Sequence, residues 1–181
     1  MKNLFIMVGV PGSGKTTFLD NIKKKVKDKN IEIVSRDSIR FSLVKPEEDY
    51  FSREAEVQTK FWKEINQHLA EGKHVFVDQT SISIASRKKL LKNIHGYDFC
   101  FALIMDTDLQ TCIERNKKRT GRACVPEKII YQMWDNYEKP RHDEGFDGVL
   151  KCNSNGEIYV PFYVSIEQCL DPVIELQSNV T

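Results

Sequence analysis

The stretch Gly9–Thr16, which reads GVPGSGKT, limits the possible folds of this chain more than any other part of its sequence. It matches GxxxxGK[ST], the pattern of a glycine-rich loop that joins a buried strand to a helix. The flanks fit, because residues 3–9 (NLFIMVG) predict a buried strand and residues 16–27 predict an amphipathic helix. The backbone N–H groups of such a loop and the helix N-terminus bind phosphate. The alternative is a glycine-rich turn that only connects the two elements.

Two side chains of this loop carry the chemistry that the pattern predicts. The lysine of such a loop reaches the β- and γ-phosphates of a nucleotide, and the hydroxyl of the next residue coordinates Mg²⁺. Lys15 and Thr16 occupy these positions. The dinucleotide-binding pattern GxGxxG is excluded, because Gly12 and Gly14 would require a third glycine at Thr17. The sequence therefore predicts phosphate binding and leaves the reaction open.

Strands and helices alternate along the rest of the chain. Short apolar runs predict further strands at 31–35, 74–78 and 98–106. Helical periodicity predicts helices at 16–27, 37–43, 51–71, 84–94, 109–118 and 126–137, with the aromatic residues Phe51, Phe61, Trp62 and Trp134 in the core. This order predicts a three-layer α/β/α fold, in which helices cover both faces of a mostly parallel central sheet.

The length of 181 residues predicts a single domain. We assign residues 1–150 to this domain, with a small helical lid around residues 115–126. Residues 151–181 form a C-terminal extension, which we predict to be an edge strand over 157–165 and a tail of the same domain. Self-association through this extension is the alternative.

Charge and hydropathy narrow the range of partners. The 27 Lys and Arg residues minus the 26 Asp and Glu residues give +1, so any basic site that attracts nucleic acid has to be local. The apolar runs at 4–8 and 99–105 are far shorter than the roughly 20 residues that span a bilayer. The first run passes directly into the glycine-rich loop instead of a cleavage site. We therefore predict a cytoplasmic protein without a membrane partner.

Asp37 comes just after the predicted strand 31–35, in the segment SRDSIR. Ligands of open α/β sheets bind at the carboxyl ends of the strands, so this carboxylate should face the same cleft as the loop and could accept a proton from a hydroxyl. Arg40, three residues later, would lie on the same helix face and could bind a substrate phosphate. In the alternative interpretation, Asp37 caps the helix and Arg40 pairs with it. The spacing does not decide between the two.

Asp78 ends the predicted strand 74–78, where a carboxylate holds Mg²⁺ through water or positions catalytic groups. Thr80 follows in the predicted substrate crevice, and a helix-capping role for Asp78 is the alternative. Arg115 and Arg119 share a face at the end of one predicted helix and the start of the next loop, where arginines can neutralise the charge of a transferred phosphoryl group. A solvated basic face is the alternative. The basic run at 87–92 is predicted to be a solvated helix face, with contact to a nucleic-acid backbone as the alternative.

These motifs together resemble the 5′-hydroxyl polynucleotide kinase family, one of the P-loop phosphotransferases related to adenylate kinase. The resemblance covers nearly all of residues 1–150. It rests on GVPGSGKTT at 9–17, SRDSIR at 35–40, VDQTS at 77–81, ERNKKRTGRACVPEKIIYQMW at 114–134 and EKPRHDEGFDGVL at 138–150. The loop at 9–17 is generic, whereas RDxxR combined with RNxxR is much more specific. The family often has a Thr-Asn pair where this chain has Gln79-Thr80-Ser81.

The resemblance implies a role for each matching residue. Asp37 would be the general base for the acceptor hydroxyl, Arg40 would bind a phosphate of the acceptor strand, and Asp78 would lie near the acceptor with Thr80. Lys15 and Thr16 would hold ATP with its Mg²⁺, with Thr16 as the metal ligand. Arg115 and Arg119 would be lid arginines that bind the nucleotide phosphates and assist the transfer. ATP would contact Gly9, Val10, Pro11, Gly12, Ser13, Gly14, Lys15, Thr16, Thr17, Arg115 and Arg119.

The implied reaction is transfer of the γ-phosphoryl group of ATP to a 5′-hydroxyl end of RNA or DNA, as in nucleic-acid repair. Any phosphatase or ligase partner would be a separate chain. Two alternatives stay open at this point. One is a kinase of the same fold that acts on a nucleoside, a sugar, an antibiotic or an aminoacylated tRNA, and the small net charge favours it. The other is a nucleotide-binding regulatory ATPase.

Overall fold

A computed structural model describes residues 1–25, 30–155 and 157–159 of the chain. Within them, one sheet contains six strands in the spatial order β2-β3-β1-β4-β5-β6. In chain order the strands are β1 Asn3–Val8, β2 Ile31–Ser35, β3 His74–Asp78, β4 Phe99–Met105, β5 Gly148–Cys152 and β6 Ile158–Tyr159. β1 to β5 run parallel to their neighbours, and β6 pairs antiparallel with β5.

Helices connect the parallel strands. They are α1 Lys15–Lys25, α2 Arg36–Leu43, α3 Glu54–Ala70, α4 Ile84–Asn93, α5 Leu109–Lys117 and α6 Glu127–Asp135, with 3₁₀ turns at Gly121–Ala123 and His142–Glu144. Side chains cap the N-termini of several helices. At α2 the Ser35 hydroxyl accepts a hydrogen bond from the Ser38 N–H at 3.4 Å, and at α5 an Asp108 oxygen accepts one from the Thr111 N–H at 2.8 Å. None of the described helices is both long enough and apolar enough to cross a membrane.

Apolar side chains fill the space on both faces of the sheet. Alternate residues of β1 point to opposite sides. Leu4 and Ile6 pack in the cluster that contains Phe61 of α3, and Phe5 packs in the cluster that contains Phe18 of α1. The predicted three-layer α/β/α fold with a mostly parallel sheet is therefore confirmed.

The structure differs from the sequence prediction at several points. β5 was not predicted, because its five residues, GVLKC, lie at the end of a loop-rich segment and show no clear alternation. β5 crosses residue 150, the predicted boundary between the domain and its extension. β6 lies within the predicted edge strand, whose remaining residues 160–165 are outside the described part, as are residues 26 and 27 of the first predicted helix.

Burial corrects three other expectations. Phe51 and Trp134 were predicted to be core residues, but their exposed fractions are 63% and 40%. Phe51 precedes α3, which begins at Glu54 instead of residue 51, and so no helix packs it inward. Arg87 was assigned to a solvated face but is fully buried, because it forms two hydrogen bonds to the carboxylate of Glu144.

Candidate active site

The glycine-rich loop at residues 9–16, the P-loop, lies between β1 and α1 at the carboxyl edge of the sheet. Gly12 and Gly14 have φ angles of +84° and +97°, a backbone conformation that side chains with a Cβ adopt only at a cost. A Cβ on Gly12 would come within 2.1 Å of the Cys112 carbonyl oxygen. The glycines therefore allow the loop to fold tightly against the start of α5.

Lys15 folds back over this loop. Its Nζ donates hydrogen bonds to the carbonyl oxygens of Gly9 at 2.8 Å and Val10 at 3.1 Å. Burial lowers the pKa of the Lys15 amino group, and the nearby charge of Arg119 acts in the same direction, whereas Asp78 and Asp37 oppose it. The lysine thus lies among charged groups of both signs.

Asp78 ends β3 and lies beside the last residue of the P-loop. The Thr16 hydroxyl is 3.4 Å from its Oδ2, and Ser35, its register partner in β2, also forms a hydrogen bond to the carboxylate. Burial raises the pKa of Asp78, and so does Asp37, while Lys15 lowers it. A hydroxyl beside a carboxylate is an oxygen-rich environment of the kind that Mg²⁺ prefers.

Asp37 lies in the first turn of α2, Arg40 lies in its last turn, and the two side chains contact each other. The Arg40 Nη1 donates to the Asp37 Oδ1 at 2.8 Å, and the Tyr50 hydroxyl donates to the same oxygen at 3.0 Å. The Arg40 Nη2 donates to Glu54 at 2.7 Å. Arg40 is buried, whereas the Asp37 side chain is 66% exposed. The helix cap is Ser35 rather than Asp37, and so the carboxylate remains open to the cleft.

Arg115 lies in the last turn of α5, and Arg119 follows the end of that helix. An Arg115 Nη1 lies 3.3 Å from the position of a Cβ built on Gly14, and its Nη2 is 3.4 Å from the Ser154 hydroxyl. Arg119 is exposed, and its charge acts on Lys15. The Arg115 guanidinium therefore lies beside the P-loop, and Arg119 is near enough for its charge to act on Lys15.

Thr80 connects the P-loop to the segment after β3. Its carbonyl oxygen accepts a hydrogen bond from the Gly9 N–H at 3.0 Å. The next residue, Ser81, has a φ of +46°, and the buried Arg87 donates to its carbonyl oxygen at 2.9 Å. These bonds fix the backbone of Thr80 beside the cleft, although no described contact involves its hydroxyl.

Sequence reasoning missed several residues around the site. Tyr50 and Glu54 hold Asp37 and Arg40, and Arg122 of the predicted lid donates to the Val44 carbonyl oxygen at 2.9 Å. Glu54 is the first residue of α3, 14 positions from Arg40, and no sequence spacing identified it as the partner of that arginine. Nothing in the sequence spacing connects residue 122 with residue 44.

The residues of the loop fit a nucleoside triphosphate with Mg²⁺. The Ser13 hydroxyl is buried without a hydrogen-bond partner among the described residues, and the Lys15 amino group is satisfied only by backbone carbonyls. The exposed Thr16 hydroxyl lies beside Asp78. Mg²⁺ is usually held by one or two protein oxygens together with substrate phosphates, which matches this donor set.

A protein-family model described as AAA domain matches residues 4–140, which is most of the chain. The L-seryl-tRNA(Sec) kinase of Methanococcus maripaludis is 28% identical over 76% of this chain and 53% of its own length. A putative bifunctional polynucleotide phosphatase/kinase of Acanthamoeba polyphaga mimivirus is 24% identical over 82% and 32%. Transcription factor bHLH140 of Arabidopsis thaliana is 26% identical over 84% and 16%. The chain thus spans only a part of each of these relatives.

Solved structures share the fold. A chain of the Pnkp1/Rnl/Hen1 RNA repair complex superposes with a TM-score of 0.63 and 24% identity, over 75% of this chain and 43% of that one. A gluconokinase from Sinorhizobium meliloti 1021 superposes with a TM-score of 0.54 and 20% identity, over 84% of this chain and 82% of the gluconokinase chain. The predicted resemblance to P-loop phosphotransferases is confirmed by these comparisons. The chain belongs to the AAA domain family whose model covers residues 4–140, and it has the fold of the P-loop kinases.

Proposed function

We propose that this chain is an ATP-dependent polynucleotide 5′-hydroxyl kinase, which transfers the γ-phosphoryl group of ATP to a 5′-OH end of RNA or DNA. The observation that carries the proposal is the position of Asp37. Its exposed carboxylate follows β2, and its charge acts on both Lys15 of the P-loop and Asp78 of β3. Asp37 comes just after Ser35, the register partner of Asp78, and so lies at the same edge of the sheet as the P-loop. An exposed carboxylate at this edge suits a general base for an acceptor hydroxyl beside the bound phosphates.

Asp37 would accept the proton of the acceptor 5′-hydroxyl as that oxygen forms its bond to the γ-phosphorus. The bond from phosphorus to the bridging oxygen breaks, which leaves ADP and a 5′-phosphate end. Arg40 and Tyr50 would hold the carboxylate through Oδ1, as they do in the structure. The transition state of phosphoryl transfer is loose, so proton removal supplies a smaller part of the rate than positioning and charge neutralisation do.

Cationic groups on the other side of the cleft would supply that neutralisation. ATP provides the transferable phosphoryl group when it is bound, and Lys15 and the backbone of the P-loop would hold its phosphates. Thr16 would contribute a hydroxyl ligand for Mg²⁺, with Asp78 beside it. Arg115 and Arg119 would balance the charge that develops on the transferred group.

The relatives support the class of acceptor without deciding it. One is described as a polynucleotide phosphatase/kinase and another as an L-seryl-tRNA(Sec) kinase, and both names denote phosphate transfer to a nucleic acid or to a group attached to one. A cytoplasmic role in nucleic-acid repair, alongside separate repair enzymes, is part of the proposal. A sugar acceptor is the second candidate, favoured by the likeness to a gluconokinase along 84% of this chain.

An acceptor screen with γ-labelled ATP tests the proposal. We expect label on 5′-OH oligonucleotides and none on nucleosides, gluconate or seryl-tRNA. Label on gluconate or seryl-tRNA alone would replace the proposed acceptor with that one. Slow ATP hydrolysis with label on no acceptor would indicate a regulatory ATPase. Lys15→Ala is the control for contaminating kinases, because it removes the amino group that the P-loop needs to bind phosphates.

A further inference from the structure

Three aromatic side chains form a partly exposed cluster in the segment from α2 to the start of α3. We call Phe41, Tyr50 and Phe51 the aromatic platform. The exposed fractions of Phe41 and Phe51 are 44% and 63%. The Tyr50 ring contacts both of the others edge to face, with ring centroids 6.3 Å from Phe41 and 4.9 Å from Phe51. Large aromatic side chains exposed together indicate a binding surface rather than a core.

The aromatic platform adjoins the proposed general base. The Tyr50 hydroxyl donates to Asp37 at 3.0 Å, and Phe41 follows Arg40 directly in α2. When an acceptor presents its hydroxyl to Asp37, the aromatic platform therefore lies within the length of one nucleotide from that hydroxyl.

Cations lie over the same rings. The Arg40 guanidinium is 4.6 Å from the centroid of Tyr50, and the Arg122 guanidinium is 5.2 Å from that of Phe41 and 5.5 Å from that of Tyr50. The Arg122 Nη2 is buried and has no hydrogen-bond partner among the described residues. Aromatic faces beside guanidinium groups are the combination that binds single-stranded nucleic acid, because bases stack on the rings and phosphates contact the cations.

We propose that the aromatic platform is a nucleobase-binding subsite, in which Phe51 stacks with a base at the 5′ end of a single-stranded acceptor. This inference rests on the proposed kinase function and specifies its acceptor. A sugar such as gluconate has no π-face to stack on Phe51, so the platform distinguishes a polynucleotide from a small polyol. Phe51 carries the test because it is the most exposed of the three rings and makes no described contact with Asp37. The Arg40 guanidinium lies 5.5 Å from its centroid, but an effect transmitted through Arg40 would fall equally on acceptors with and without bases.

The experiment measures kcat and KM for two single-stranded 5′-OH oligonucleotides, one complete and one abasic at the two 5′-terminal positions. For the wild-type protein we expect KM to be about tenfold lower for the complete acceptor, the scale of stacking one base on one ring. Phe51→Ala should raise KM for the complete acceptor by about the same factor and leave KM for the abasic acceptor unchanged. Phe51→Trp should restore the preference.

Tyr131→Ala is the matched control, because Tyr131 is 46% exposed on α6 and lies outside the platform. It should behave like the wild-type protein. If the wild-type protein has equal KM values for both oligonucleotides, the proposed nucleobase subsite is wrong and the kinase proposal stands. The same follows if Phe51→Ala changes the KM for the complete and the abasic oligonucleotide by the same factor. If the wild-type protein phosphorylates neither oligonucleotide, the proposed function fails and the platform fails with it.

Discussion

At the scale of single residues, the site is organised around one carboxylate oxygen. Arg40 and Tyr50 both donate to the Oδ1 of Asp37, and Glu54 in turn holds Arg40 from the first turn of α3. The sequence left two roles open for Arg40, a ligand of an acceptor phosphate and a partner of Asp37, and the structure contains the pair. In the structure its side chain is 6% exposed and its guanidinium binds two carboxylates, so we now propose that it positions Asp37.

Arg40→Ala tests this positioning role. The substitution leaves Asp37 and Glu54 without their shared cation, and breaking a fully buried pair costs about 3–5 kcal/mol. Because the two carboxylates are 66% and 35% exposed, solvent compensates in part. We expect the free energy of unfolding to fall by about 2 kcal/mol in urea titrations, together with a loss of kcat. An unchanged free energy of unfolding with only a raised acceptor KM would return Arg40 to the role of phosphate ligand.

Asp78→Asn tests whether the buried, ionised carboxylate of Asp78 lowers the stability of the protein while serving its function. Because burial raises the pKa of Asp78 above its ordinary value of 3.8, the native state binds this proton more readily than the unfolded chain does. Stability is therefore lost as pH rises from the ordinary pKa through the raised one, and the loss persists at neutral pH. Asparagine cannot ionise and escapes this loss.

The variant should therefore melt roughly 2–4 °C higher than the wild-type protein at neutral pH, while its turnover falls. The difference in melting temperature should shrink as the pH approaches about 4. Thermal unfolding across this range is the measurement. A variant that melts at or below the wild-type temperature at neutral pH would show that Asp78 stabilises the fold through Lys15 and Thr16.

At the scale of elements, the site depends on how tightly the P-loop meets α5. Sequence pattern predicted the P-loop, its strand and its helix, because all three signals are local. It did not predict that Gly12 lies against the carbonyl of Cys112, since that contact joins residues 100 positions apart. For the same reason the hydrogen bond from Arg122 to Val44 was not foreseen. Local periodicity in the sequence predicts the helices and strands but not the contacts between them.

A pair of glycine substitutions measures the importance of this contact. Gly12 and Gly72 both have a φ of +84°, but a Cβ on Gly72 would have nothing within 4 Å. Gly72→Ala should therefore cost only the backbone strain, about 1–2 kcal/mol of unfolding free energy. Gly12→Ala adds an overlap with backbone and should cost more, with loss of ATP binding. Urea titrations and calorimetric ATP binding give both quantities, and equal costs would show that the P-loop relaxes freely.

At the scale of the whole molecule, the parallel sheet brings the carboxyl ends of β1, β2 and β3 to one edge. The sequence alone predicted this convergence, because strand order matters little when every strand ends on the same side. β5 and the exposure of Phe51 were not predictable in the same way. β5 is a short strand near the edge of the sheet, and its apolar and polar residues do not clearly alternate. The exposure of Phe51 depends on where α3 begins.

The most direct test of the central claim compares turnover and ATP affinity in Asp37→Asn. The amide keeps an oxygen for the bonds from Arg40 and Tyr50 but removes the basic group. We predict that kcat for a 5′-OH oligonucleotide falls by about 10²–10⁴-fold, while the dissociation constant for ATP changes less than about twofold. Turnover close to that of the wild-type protein would contradict the account, because Asp37 would then not be the base.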